Sequence, residues 1–262
     1  MKPSKLPFIT TICVLLFFYA PLVLMVLQSF QHKVPGLVGY QWTTKWYGQI
    51  FSDARVWEVS MNTLVIGLSA AAISTFLGTL SALAIHRYHG KLHGFHSGLL
   101  YIPLILPEIL MGISLLICFS ALQIPLGKMT VIAAHVAFCT SYVAIIVLAS
   151  LQTFDFTLVE AARDLGATPW QTNCRIILPL LFPAIAAGGL LAFTLSLDDF
   201  IVTFFVSGKG CTTLPVYIYS AIKHGRPERL CALSSVLLAV TFLLVTISVL
   251  SVGNRVVEAE KQ

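Results

Sequence analysis

Thr157 to Pro179 reads TLVEAARDLGATPWQTNCRIILP, a polar stretch punctuated by Gly and Pro and set between two long apolar runs. Two short helices are written into it. Thr157-x-x-Glu160 and Thr168-x-x-Gln171 each place a hydroxyl at an N-cap and a carboxylate or amide three residues on, the form of a capping box. Gly166 stands where a left-handed C-cap closes the first helix, and Pro169 takes the first helical position of the second. A rigid helix-turn-helix knob between membrane spans needs a partner protein.

The rest of the chain supplies the membrane. It is 57% hydrophobic and only 10% charged over 262 residues, whereas about a quarter of an ordinary soluble domain is charged. Apolar runs of about 20 residues match the thickness of a bilayer, and they predict spans at 6–30, 60–85, 98–122, 129–151, 176–206 and 231–253. These runs are continuous and lack the period-two alternation of barrel strands, so the expected class is an all-α polytopic membrane protein with six transmembrane helices. Met1 to Lys5 and the apolar run behind them resemble a secretory signal. The run is too long for one, and Tyr19-Ala20-Pro21 is a poor cleavage site, so an uncleaved first span is expected. The organisation predicted is a first span and external loop at 1–55, a core at 56–253 holding the loop 155–179, and a tail at 254–262.

Loop residues carry weaker signals. The net charge of +5 comes from Lys and Arg scattered evenly over both sides. The positive-inside rule is therefore silent, and no basic, aromatic-interleaved stripe points to nucleic acid. Trp42, Trp46, Tyr47 and Trp57 read as an interfacial aromatic belt or as a ledge for a docking protein. His86, His89, His93 and His96 have helical spacing, yet Gly90 and Gly94 interrupt it and no Cys or carboxylate joins them; a polar headgroup-level loop is the expectation, and no metal site. The charges of loop 207–230 face either a docking partner or water. The six cysteines form no CxxC pair or zinc spacing; Cys211 and Cys231 border one external loop, where a disulfide is an open alternative.

Charges within the spans are more telling. No Lys or Arg falls inside one, but Glu108, Asp198 and Asp199 do. A carboxylate at mid-membrane costs about 2.5–3.5 kcal/mol, so such groups line a pathway or find partners, and no basic partner is expected within this chain's spans. A path whose fixed charges are acidic favours a cation over an anion. Phe193, Phe200 and Phe204 lie near enough in sequence to add cation–π contacts, or else pack between helices. Adjacent helical residues point about 100° apart, so Asp198 and Asp199 are not expected to face the same line; one of them caps a broken helix or bonds a neighbouring subunit. Pro103 and Pro107 should bend the helix carrying Glu108 and free backbone carbonyls there.

The pattern EAA, three residues, Gly, nine residues, Ile-x-Leu-Pro is met by Glu160-Ala161-Ala162, Gly166, Ile176 and Leu178-Pro179. It resembles the cytoplasmic coupling loop of ABC-importer permeases. Leu191 to Ser207, LAFTLSLDDFIVTFFVS, followed by Thr213-Leu214-Pro215, looks like the C-type permease of spermidine/putrescine importers, as do Thr43-Thr44-Lys45-Trp46-Tyr47 and Pro107-Glu108. The resemblance implies a MetI-like ABC permease fold in the bacterial inner membrane with both termini cytoplasmic. It implies a second permease subunit in a heterodimer, two ATPase subunits at the coupling loop, and a periplasmic substrate-binding protein. Glu160, Ala161, Ala162, Asp164, Gly166 and Ala167 are then the coupling residues, and Glu108, Asp198, Asp199 and Phe200 the substrate pathway. Glu160 caps its own helix, pairs with a basic residue of the ATPase, or does both. The chain has no GxxxxGK[ST] phosphate loop, no HExxH and no nucleophile–base constellation, so ATP and magnesium belong to the partner ATPase and no catalytic residue or cofactor is expected here. Competing readings are a permease of the same family for ferric iron, thiamine or an anion, and more remotely a stand-alone channel or intramembrane hydrolase.

Overall fold

Long apolar runs make helices, and in this chain Pro, Gly and paired acids decide where those helices stop. The computed structural model describes residues 6–33, 39–88, 90, 93–223, 228–239 and 241–243. They divide into two compact units, one running Glu58–Tyr217 and the other formed by the residues before and after it. Among the described residues, four helical stretches are long and apolar enough to cross a membrane, or five if one bent pair counts as a span.

In the terminal unit, α1 (Leu6–Ser29) matches the predicted first span. The loop behind it is more ordered than the sequence implies. Strands β1 (Gln31–Lys33) and β2 (Tyr40–Trp42) pair antiparallel with Gln31 opposite Trp42, and α2 (Lys45–Ser52) follows. Three of the four aromatics are hydrogen-bonded locally: Trp46 Nε1 donates to the Gln31 carbonyl at 3.0 Å, the Tyr47 hydroxyl lies 2.6 Å from that of Ser29, and Trp57 Nε1 donates to the Phe51 carbonyl at 2.9 Å. Trp42 and Trp57 remain exposed. Arg229 forms an ion pair with Asp53, so that charge of the last loop is taken up within the unit. Partial burial pushes the Asp53 carboxyl up, but the Arg55 backbone N–H and the Arg229 guanidinium outweigh it and hold the group below its usual range. Residues 228–239 and 241–243 are helical; the rest of the predicted sixth span, the tail and His224 to Pro227 lie outside the described residues.

The central unit begins inside α3 (Ala54–Arg87). At 34 residues this helix is about 51 Å long, well beyond a bilayer core; polar residues at either end extend it past the apolar run that set the predicted edges. Helix α6 (Lys128–Gln152) agrees with its predicted span and packs most extensively on α9 (Leu178–Asp198). Val131, Ala134, Cys139, Val143 and Val147 of α6 form the dry centre of the core with Ile66, Leu181 and Ala192.

Three expectations need correction. The third span is not one helix: α4 (His93–Ile105) and α5 (Glu108–Ala121) meet at 109°. Pro107 has no N–H to continue α4 and sits at an extended backbone angle, so the chain turns there. The fifth span does not reach 206: α9 ends at Asp198, Asp199 is extended, and α10 (Ile201–Val206) is a separate short helix. Nor is the knob's second helix an isolated piece. Helix α7 (Thr157–Asp164) is separate, but α8 (Pro169–Thr172) runs through a π-helical turn at Asn173–Ile177 directly into α9. Pro179, one residue into α9, removes an N–H that an unbroken α-helical ladder would need, and the π turn absorbs the mismatch. Helix α11 (Leu214–Lys223) leads out of the unit.

Cys211 and Cys231 are free thiols. His86 stacks on Phe156 with ring centroids 5.0 Å apart, and His93 Nδ1 lies 2.8 Å from the Tyr88 carbonyl; His89 is outside the described residues.

Candidate functional site

The Pro107 turn and the Asp198–Asp199 turn face one another. Between them lies a cavity of about 370 Å³ lined by Glu108, Asp198, Asp199 and Phe200, with Pro103, Met111, Phe138, Tyr142, Leu195, Ile201 and Val202 completing the wall. All four residues singled out as pathway candidates therefore meet at one place. No Lys or Arg is in the lining. Phe193 and Phe204 are not in it either: Phe193 packs against the core beside Gly67, and Phe204 lies against Phe200 with centroids 5.6 Å apart. Phe138 and Tyr142 were missed by sequence reading. They stand one helical turn apart on α6 and carry no local sign that distinguishes them from core residues.

Both aspartates reach the cavity because the helix breaks between them, so the 100° rule for continuous helices does not apply. Their surroundings differ. Asp199 is buried, with its side chain 5% exposed, and its carboxylate closes the start of α10: Oδ1 accepts from the Val202 N–H at 3.3 Å, and Oδ2 accepts from the Thr203 N–H and hydroxyl, both at 2.8 Å. His135 of α6 approaches the same Oδ2 with Nε2 at 3.2 Å. That corrects a further expectation. An ionisable partner does lie within the spans, and a search restricted to Lys and Arg passed over it. Asp198 is exposed, and no other group among the described residues hydrogen-bonds its carboxylate.

Chain that leaves a helix among apolar neighbours must still satisfy its backbone groups. Side chains from α3 and α6 do so after Asp199. The Thr130 hydroxyl lies 2.8 Å from the Val206 carbonyl, Asn62 Nδ2 donates to the carbonyls of Gly210 and Thr212, and the Leu214 N–H donates to Thr63 Oγ1 at 2.7 Å. Gly208 passes so close to the Leu126 carbonyl that any Cβ there would collide with it.

The knob is built differently. Gly166 adopts φ +83°, and the N–H groups of Gly166 and Ala167 bond back to the carbonyls of Arg163 and Ala162, a Schellman closure of α7. The second capping box forms as expected: Gln171 N–H donates to Thr168 Oγ1, and Thr168 N–H donates to Gln171 Oε1. The first does not. Thr157 is itself helical, and Asp155 caps α7 by accepting from the Thr157 N–H at 3.0 Å and its hydroxyl at 2.7 Å. Those bonds hold the Asp155 carboxyl below its ordinary value. Asp155 outcompetes Thr157 because it precedes the first helical residue and carries a charge.

Glu160, Ala161, Asp164 and Gly166 are exposed, and Ala162 and Ala167 half-buried. Leu165 and Trp170 stand 89% and 76% exposed beside them. Two large apolar side chains on a polar loop were the signal, and sequence reading did not use it.

Comparison with known proteins agrees with this architecture. The family described as "Binding-protein-dependent transport system inner membrane component" matches residues 74–259. The chain is 37% identical over 239 residues to the spermidine/putrescine transport system permease protein PotC of Escherichia coli (strain K12), covering 91% of this chain and 90% of that protein. It is 39% identical over 230 residues to the putrescine transport system permease protein PotI of the same strain, covering 85% and 82%. The crystal structure of a bacterial ABC transporter that imports the acidic polysaccharide alginate shares the fold, with TM-score 0.72 at 18% identity over 94% of this chain and 92% of that one. Another structure of the alginate transporter, in complex with a periplasmic protein bound to alginate pentasaccharide, gives TM-score 0.73 at 18% identity over 93% and 90%. The chain belongs to the family of binding-protein-dependent transport-system inner-membrane components, and it is a multi-pass, non-catalytic permease subunit of an ABC importer.

Proposed function

We propose that this permease carries polyamines of the putrescine and spermidine type inward across the cytoplasmic membrane, driven by ATP hydrolysis on partner subunits. One observation carries the reading: Glu108, Asp198 and Asp199 converge with Phe138, Tyr142 and Phe200 on a single cavity whose lining contains no Lys or Arg. Carboxylates attract the ammonium ends of a linear polycation, and aromatic faces accept both its charge and its methylenes. An anion would meet unscreened repulsion there. The names of the two E. coli relatives support the same cargo.

The working assembly has a second permease subunit, two ATPase subunits and a periplasmic binding protein, with the knob and both termini on the cytoplasmic side. The knob seats on an ATPase through Leu165, Trp170 and the face carrying Glu160, Ala161, Ala162, Asp164, Gly166 and Ala167. Because α8 continues into α9, a displacement of the knob travels along one helix to the Asp198–Asp199 turn. Closure of the ATPases then exposes the acidic cavity alternately to each side of the membrane.

The test is uptake of radiolabelled putrescine and spermidine by cells lacking their own importer and given this chain with its partner subunits. Asp198→Asn should raise the half-saturating concentration several-fold. An assembled complex with no polyamine uptake refutes the cargo.

A further inference from the structure

His135 is fully buried within α6 and touches three groups that flank the helix break. Its Nδ1 lies 2.6 Å from Ser196 Oγ, in the last turn of α9. Its Nε2 lies 2.9 Å from Thr203 Oγ1 of α10 and 3.2 Å from Asp199 Oδ2. The Thr203 hydroxyl donates its only proton to Asp199, so Nε2 faces two acceptors and must carry a proton. In the neutral imidazole Nδ1 accepts from Ser196, and every proton in the cluster then has a partner.

We propose that His135 is a positioning residue for transport, committing Asp199 to structure and leaving Asp198 with Glu108 to meet the cargo. The carboxylate of Asp199 already receives two backbone N–H groups and the Thr203 hydroxyl, and His135 supplies a further donor to it from another helix. A buried carboxylate saturated in this way has little left to offer an ammonium group. Asp198, its neighbour in the chain, is exposed, and no other group among the described residues hydrogen-bonds its carboxylate. His135 also clamps the end of α9 and the start of α10 to α6 at once, which fixes the angle of the turn on which Asp198 sits. This division of labour rests on the cavity being the cargo site.

The test compares wild type, His135→Gln, His135→Leu, Asp199→Asn and the His135→Leu/Asp199→Asn double variant in the complete complex, reading both maximal uptake rate and half-saturating polyamine concentration. Glutamine can still donate to Asp199 and accept from Ser196, so His135→Gln should stay within about threefold of wild type. Leucine leaves a buried carboxylate short of a donor and frees the turn that carries Asp198, so His135→Leu should lower the maximal rate about tenfold and raise half-saturation several-fold. In the double variant the loss should not multiply, because the charge that needed His135 is gone. Multiplied losses, an unchanged half-saturation in His135→Leu, or a Gln variant as poor as Leu would each overturn the proposal. If the wild-type complex takes up no polyamine, the cargo reading fails instead. The same variants are then compared by binding-protein-stimulated ATP hydrolysis, where multiplied losses again overturn the role of His135.

Discussion

The knob at 155–179 and the break at 199–214 solve one problem in opposite ways. Both interrupt long helices, both leave backbone groups to be satisfied, and both use an aspartate to close a short helix. The knob does it alone: Asp155 bonds Thr157, Gly166 and Ala167 bond back into α7, and Thr168 and Gln171 bond each other. The break borrows. Its partners are Asn62, Thr63, Thr130 and His135, on helices 64 to 151 residues away in sequence. The difference follows from the surroundings. A solvent-exposed knob has water for any group its caps miss. A turn among apolar helices has no water, so each unmatched group needs a donor or acceptor brought by a neighbour.

The largest effect should come from removing a borrowed partner. Asn62→Leu strips donors from the carbonyls of Gly210 and Thr212. It should cost about 1–3 kcal/mol for each group left unmatched, read as a fall in the thermal midpoint of the purified permease complex. An unchanged midpoint would mean the break holds itself, and the contrast with the knob would collapse. Gly166→Val is next. Its φ of +83° is a left-handed conformation that costs an L side chain about 1–2 kcal/mol. The membrane core should melt normally while ATP-coupled uptake drops sharply. A core that melts early would show that the knob is not autonomous.

The smallest effect sharpens the comparison through pH. The Asp155 carboxyl is held below 3.8 by the Thr157 hydroxyl first and the Thr157 N–H second. A depressed carboxyl contributes its stabilisation above its unfolded value and loses it as pH falls through the folded one. Protection of the Thr157 amide against hydrogen exchange, measured relative to Asp155→Asn, should hold from neutral pH down to the ordinary carboxylate range and vanish below it. Protection that survives in strong acid would remove Asp155 from the capping role.

The same contrast explains what was legible in the sequence. Gly166, Pro169, Thr168 and Gln171 announce the knob because their physics is complete within five residues. Even there, Asp155 displaced Thr157, since two candidate caps two residues apart differ only in where the first helical turn begins. The long apolar runs gave α1, α3 and α6 for the same local reason. The break was harder. Asp198 and Asp199 drew notice as charges, but nothing near them names His135 or Asn62, whose roles exist only once α3, α6 and α10 are side by side. Likewise Phe138 and Tyr142 look like any core aromatics until the Pro107 turn opens a cavity against them.

The bonds from Asn62 to Gly210 and Thr212 set how this protein can change over evolutionary time. The knob can drift one short segment at a time, because its interior hydrogen bonds close within that segment. A substitution at position 62 is paired at once with a loop nearly 150 residues downstream. This part of the permease must therefore vary in matched steps, and lineages that alter this loop should be found to have altered position 62 with it.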